Sequence, residues 1–474
     1  MKTFIQNNRL KSAFIFIFTL TFCTGIFELK TSAQGNPCVD CVPDEVIFEL
    51  VNRADLPAVA AQYKLISTPL GEAGTPPTFR MQIDRNPNTG TTQTPPQIVA
   101  AMQPDGRITK AEVNRKLSNV ENEDLPWTIG RTWSIGRTWS IGGSRKSYNM
   151  QWFPDKIRLD EALTQTSGQG VTVAVLDTGI DLNHPAFAGK LVPGYDFVAN
   201  DNDPSEEGVL RQNSSFGHGT HVAGIIALTA PGAKIMPLRV LDRDGVGELW
   251  RVKEAIIWAA DHGATVINIS FGYPEKVELL KDLLDFCDDG VTLDGKTFPE
   301  VGTNRLIAIA GAGNSGAMLG LDGNPLKIYP AAEGLNDSLI AVGASTRYDN
   351  PGDPRRLADF SSFDRDWVKV VAPGEEIISA IPGGRYGIWS GTSMSAPIVS
   401  GVAALVKSKF PSCSPTQLVH QIKETGVSWD FPHPSRRDSR NDPIRIKATR
   451  IDALSALTPV PVTGCQIAAN PAQN

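Results

Sequence analysis

Beyond Gln151 the chain repeats one pattern of apolar and polar positions. Short runs, apolar at nearly every position, alternate with longer segments of helical character: VTVAVL (171–176), AKIMPLRV (233–240), TVINIS (265–270), RLIAIA (305–310) and LIAVGA (339–344). A strand apolar at every position, rather than at every second one, is a strand buried on both faces. Such strands alternating with helices predict an α/β fold of three layers, α/β/α, around a mostly parallel sheet. Two of the helical segments are rich in small residues and are expected to pack closely. One runs from His218 to Ala227 and contains Gly219, Ala223 and Gly224; the other is APIVSGVAALV (396–406), with Pro397 expected in its first turn.

Residues 42–118 read differently. Strand-like VIFEL and FRMQI alternate with helix-like LPAVAAQ and PQIVAA, which predicts a small α+β unit ahead of the larger domain. Polar, Gly-containing sequence follows from Glu121 to Ser147, where the hexapeptide IGRTWS occurs at 129–134 and again at 135–140; two copies make a duplicated exposed linker, not a repeat fold. At the start, Lys2, Arg9 and Lys11 precede an apolar stretch from about Ala13 to Phe27 and the small-x-small Thr31-Ser32-Ala33. This reads as a secretory signal cleaved after Ala33, too short to serve as a membrane span. The expected organisation is a signal (1–33), the α+β unit (34–118), the linker (119–149), the α/β domain (150–458) and a tail (459–474).

A net charge of -6 over 474 residues gives no reason to expect nucleic acid or an anionic membrane as partner. Export permits disulfides among the six cysteines. Cys23 leaves with the signal and Cys38 and Cys41 are placed for a local bridge. Cys413 and Cys465 could tie the tail to the last long helices, which leaves Cys287 free.

The candidate chemistry lies in three strings in one order: Asp177 in VAVLDTGID, His218 in FGHGTHVAG and Ser393 in SGTSMSAP. A serine hydroxyl is a weak nucleophile near neutral pH. It needs a base to take its proton and a carboxylate to orient that base. Each residue alone is equally at home as a cap or turn; the ordered set is what points to catalysis. His218 and His221 do not make a zinc pair, because the Glu that follows the first His of such helices is absent. His221 reads instead as a buried structural histidine. GAGNSG (311–316) fits the letters of a dinucleotide-binding loop, but no acidic residue ends a second strand about twenty positions on.

The three strings resemble the subtilisin-like serine proteases, the subtilases, over about residues 150–458, and the segment before them resembles a subtilase propeptide. The resemblance implies a secreted serine endopeptidase, with the periplasm as an alternative destination. It would be made as a self-processing zymogen, monomeric, acting on protein or peptide substrates and inhibited by its own propeptide. In that reading Asp177, His218 and Ser393 form the triad, and Asn314 with the Ser393 amide forms the oxyanion hole. Gly245, Gly247, Ser270, Phe271 and Gly272 line the substrate, with Tyr273 where many members have a second Gly. Ile328 lines the pocket for the residue before the scissile bond and favours smaller apolar side chains there.

No cofactor is required. The family's tight calcium site is expected to be absent, since Ala186 follows His184-Pro185 and the stretch from His218 to Val240 is too short for its loop. Asp196, Asp201 and Asp203 could hold a weaker calcium ion, with a solvated acidic loop as the alternative. Competing readings are an esterase or amidase using the same triad, and an exported binding protein on an inactive scaffold.

Overall fold

The structure is a computed structural model and describes residues 41–74, 76–119, 143–210, 212–273, 276, 292–293, 296–297, 306–316, 328–333, 339–348, 356–364, 367–437, 440–460 and 465. The expected signal, the duplicated hexapeptide, Cys23, Cys38 and Cys287 lie outside the described residues.

The strands in chain order are β1 (Cys41–Leu50), β2 (Gly71–Ala73), β3 (Thr78–Gln82), β4 (Ile108–Asn119), β5 (Thr172–Asp177), β6 (Tyr195–Asp196), β7 (Lys234–Arg239), β8 (Val246–Glu248), β9 (Val266–Ile269) and β10 (Phe271–Gly272). A two-strand ribbon, β11 (Thr292–Leu293) and β12 (Lys296–Thr297), comes next. After it come β13 (Ile307–Gly311), β14 (Leu339–Ser345), β15 (Val370–Pro373), β16 (Ile377–Ile381), β17 (Arg385–Trp389), β18 (Val427–Arg437) and β19 (Pro443–Arg450). The central sheet has the order β18-β19-β15-β14-β13-β9-β5-β7-β6. Every pair in it is parallel except the β18/β19 hairpin at one edge.

The unbroken apolar runs fill two cores at once, because successive side chains of a strand point to opposite faces. Val173 and Val175 of β5, Ile307 and Ile309 of β13, and Ile340 and Val342 of β14 pack under the helices His218–Thr229 and Thr392–Lys409. Ala174 and Leu176, Ala308 and Ala310, and Leu339 and Ala341 enter the other core, beneath the helix Leu249–Asp261. The two small-residue helices touch closely: a Cβ added at Gly401 would lie 2.5 Å from Cβ of Thr229. The Cys413–Cys465 disulfide joins the segment before the helix Pro415–Thr425 to the tail, and Cys41 is also disulfide-bonded.

Chain order reverses across the sheet at β5, which has β7 on one side and β9 on the other. Ligand crevices of open α/β sheets form at such points, beyond the carboxyl ends of the strands. Asp177 ends β5, Ser270 follows β9 and Asn314 lies three residues past β13.

The N-terminal strands form their own antiparallel sheet, ordered β10-β4-β1-β3-β2, with β8 also paired to β4. This sheet is continuous with the larger domain, because β4 lies between β8 and β10. Leu117 pairs with Gly247 and Ser118 with Val246 on one side; on the other, Ser118 pairs with Gly272 and Asn119 with Phe271. The unit also rests on the helix Leu249–Asp261. Its Asn114 accepts a hydrogen bond from the Trp250 amide (3.3 Å), at a helix start that lacks a side-chain cap of its own, and Gly71 lies flat against the Trp250 ring.

Candidate active site

Asp177 is placed by the end of β5 and His218 by the first residue of its helix. Both are almost wholly buried, and His218 Nδ1 lies 2.7 Å from Asp177 Oδ1, which also accepts the Thr178 amide at 2.8 Å. A carboxylate at Nδ1 fixes the imidazole ring and leaves Nε2 as the end able to take a proton. One turn on, His221 stacks on Trp389 (centroids 4.7 Å, interplanar angle 8°), and burial drives its pKa down to about 3, so it stays neutral near physiological pH.

The helix carrying Ser393 starts at Thr392, one residue earlier than the serine. Pro397 therefore lies inside the helix and not in its first turn as the sequence suggested. Its missing N–H would have bonded the carbonyl of Ser393, four residues back. That carbonyl instead accepts the Ser270 hydroxyl at 3.2 Å, while Ser393 Oγ donates to the Ser270 carbonyl, also at 3.2 Å. The reciprocal pair ties the Ser393 turn to the end of β9.

Asn314 stands beside it. Its Oδ1 accepts from the Thr392 amide (2.9 Å) and Thr392 Oγ1 (3.1 Å), so Nδ2 is the end of the amide left to donate elsewhere. The Ser393 amide is a first-turn donor of its helix. A side-chain amide and a first-turn backbone amide are thus the candidate donors for a developing oxyanion.

Gly247 and Gly272 are the residues that flank β4, and Gly245, at φ +79°, forms the turn into β8. Ile328 is buried with its side chain between two glycines: a Cβ at Gly272 would lie 2.2 Å from Ile328 Cγ2, and one at Gly313 would lie 3.0 Å from Cγ1. Tyr273 bridges to Tyr329, and its hydroxyl accepts from Arg115 Nη1 at 2.9 Å, holding the β4 strand from the side.

The carboxylates of the acidic loop accept from donors of the chain itself. Asp196 Oδ1 accepts the amides of Val198 and Ala199, and its Oδ2 accepts from Arg239 Nη1 at 2.6 Å. Asp201 and Asp203 accept the amides of Asp203 and Ser205. The buried guanidinium supplies the positive charge that Asp196 needs, and sequence spacing could not reveal it. Among the described residues no group of three or more His, Cys, Asp or Glu is arranged to hold a metal ion.

Residues 168–442 match the profile of the Subtilase family. The chain belongs to that family, the subtilisin-like serine endopeptidases. It is 39% identical over 270 residues to the thermophilic serine proteinase of Bacillus sp. (strain AK1), covering 55% of this chain and 58% of that one. It is 35% identical over 294 residues to thermitase of Thermoactinomyces vulgaris, covering 59% of this chain and 91% of thermitase. The crystal structure of fervidolysin from Fervidobacterium pennivorans, a keratinolytic enzyme related to subtilisin, shares the fold. The TM-score is 0.65 at 24% identity, over 90% of this chain and 63% of that one.

Proposed function

We propose that this subtilase is a secreted endopeptidase made as a self-processing zymogen. Ser393 attacks the peptide carbonyl, His218 takes the proton and returns it to the leaving amine, and Asp177 orients His218. Asn314 and the Ser393 amide bind the oxyanion. No cofactor enters these steps.

The observation that carries the reading is the position of β4. An extended strand of the chain's own N-terminal unit pairs with β8 and β10, the two edges proposed to receive a substrate, by main-chain hydrogen bonding. Asn119 faces Phe271, next to the Ser270 that bonds Ser393. The unit thus acts as propeptide and inhibitor, residues 34–118 as read from the sequence, and blocks the cleft until it is cut away.

Protein and ester turnover measured side by side test this. Casein is expected to be cleaved once the N-terminal unit has been released; ester turnover with casein untouched would favour the small-molecule reading. Ile328 fills the trough between Gly272 and Gly313, so wild type is expected to cut after small apolar residues. Ile328→Ala should raise the ratio of cleavage after Phe to cleavage after Ala by roughly tenfold to a hundredfold, the range that a few methylenes supply in an apolar pocket. An unchanged ratio in a panel of peptide substrates would remove Ile328 from the pocket.

A further inference from the structure

Glu206 lies in the loop between β6 and the His218 helix and has no task in the reaction above. Its carboxylate is turned inward between the two elements that carry Asp177 and His218. Oε1 accepts from Thr178 Oγ1 at 2.6 Å, and Oε2 accepts from the Thr220 amide at 3.1 Å and from Thr220 Oγ1 at 2.8 Å. Thr178 directly follows Asp177; Thr220 is in the first turn of the helix that His218 begins.

That helix has no side-chain cap of its own. Its N-cap is Gly217, at φ +94°, and its first-turn amides need acceptors from elsewhere. The His218 amide donates to the Ser215 carbonyl and the Gly219 amide to Thr178 Oγ1, both at 3.0 Å, while the Thr220 amide is held by Glu206. A carboxylate at this end of a helix also meets the positive end of the dipole.

Thr178 has one hydroxyl proton. It goes to Glu206 at 2.6 Å, not to Asp177 Oδ1 at 3.3 Å, so the charge of Asp177 stays directed at His218. We propose that Glu206 is a positioning residue for the Asp177–His218 pair, clamping the turn of one to the helix of the other and keeping the Thr178 proton off Asp177. The reaction assigned to the pair is the one given under Proposed function.

Burial, opposed by the bonds from Thr178 and Thr220 and reinforced by the nearby Asp177, raises the Glu206 carboxyl to about 7. The charged group that acts on it is Asp177 on β5. Asp181 is turned to the Gly383 and Gly384 amides, and Glu207 to Arg239. A proton taken up by Glu206 removes the charge that holds the Thr178 proton, so the proposal makes its titration and that of His218 interdependent.

The test is the titration of His218, followed by NMR in the full chain carrying Ser393→Ala, with and without Glu206→Gln. The amide of Gln can donate to Thr178 Oγ1, which then turns its proton to Asp177. Weaker support of the imidazolium lowers the midpoint of His218, by roughly half a unit or more. Glu206→Asp, which keeps the charge, should bring it back towards wild type. In the chain with an intact Ser393, Glu206→Gln should lower kcat about tenfold with KM held within about twofold.

A midpoint unmoved by Glu206→Gln overturns the proposal. If that variant does not fold, the curve with Glu206 intact decides: linked titration departs from a single-proton curve, and a clean single-proton curve overturns the proposal. Failure of the wild-type chain to hydrolyse any peptide would sink the protease reading while leaving the His218 titration to decide the role of Glu206.

Discussion

Replacing Ser393 with Ala is expected to lower kcat on peptide substrates by about a millionfold, the loss found when the nucleophile of subtilisin is removed. The size follows from how the three side chains act as a unit. His218 is a useful base only while a hydroxyl stands ready to give up its proton, and Asp177 is useful only through His218. The activity left over, still above the uncatalysed rate, belongs to the oxyanion donors and to binding along β8 and β10. The alanine removes one oxygen from a tightly packed first turn and leaves the Ser393 carbonyl bonded to Ser270. Substrate binding should therefore survive, and a binding assay with a peptide on the variant distinguishes lost chemistry from lost fold.

The second large effect is expected at Asn314. Asn314→Leu keeps the volume and removes the Nδ2 donor. A fall in kcat of roughly a hundredfold to a thousandfold, with little change in KM, is the outcome for an interaction made only in the transition state; that magnitude comes from an oxyanion donor of subtilisin. Leu also takes away the acceptor that holds the Thr392 amide. Asn314→Asp separates the two effects, because it retains that acceptor and turns a negative oxygen towards the developing charge. Both variants should lose kcat. Loss in Leu alone, with Asp near wild type, would assign Asn314 to holding the Thr392 turn instead.

Much of the fold could be read from the sequence because its signals are local. A strand buried on both faces is apolar throughout, and VTVAVL or LIAVGA could hardly be anything else in an α/β chain. Asp177, His218, Asn314 and Ser393 could be singled out as candidates for a similar reason: each sits in a short distinctive string. What the sequence hid depends on distant partners. Asp196 read as a calcium ligand or as part of a solvated acidic loop, and the Arg239 guanidinium that pairs with it lies over forty residues on. Pro397 looked like a first-turn proline because nothing nearby tells that the Ser270 hydroxyl will stand in for the missing donor. Tyr273 stood out only as a departure from the second Gly of many members, and its hydroxyl accepts from Arg115 of β4. Glu206 carried no signal in the sequence, since Thr178 and Thr220 come to it only through the fold.

We propose that this chain cuts itself with Ser393 at the strand lying in its own cleft. Intact mass over time, for the purified wild-type chain beside Ser393→Ala, tests it most directly. The account predicts that wild type sheds an N-terminal fragment ending within a few residues after Asn119, because Asn119 faces Phe271 next to the Ser270 that bonds the nucleophile, while the alanine variant stays whole. Two chains that both remain intact, or that are both cut at the same place, would contradict it.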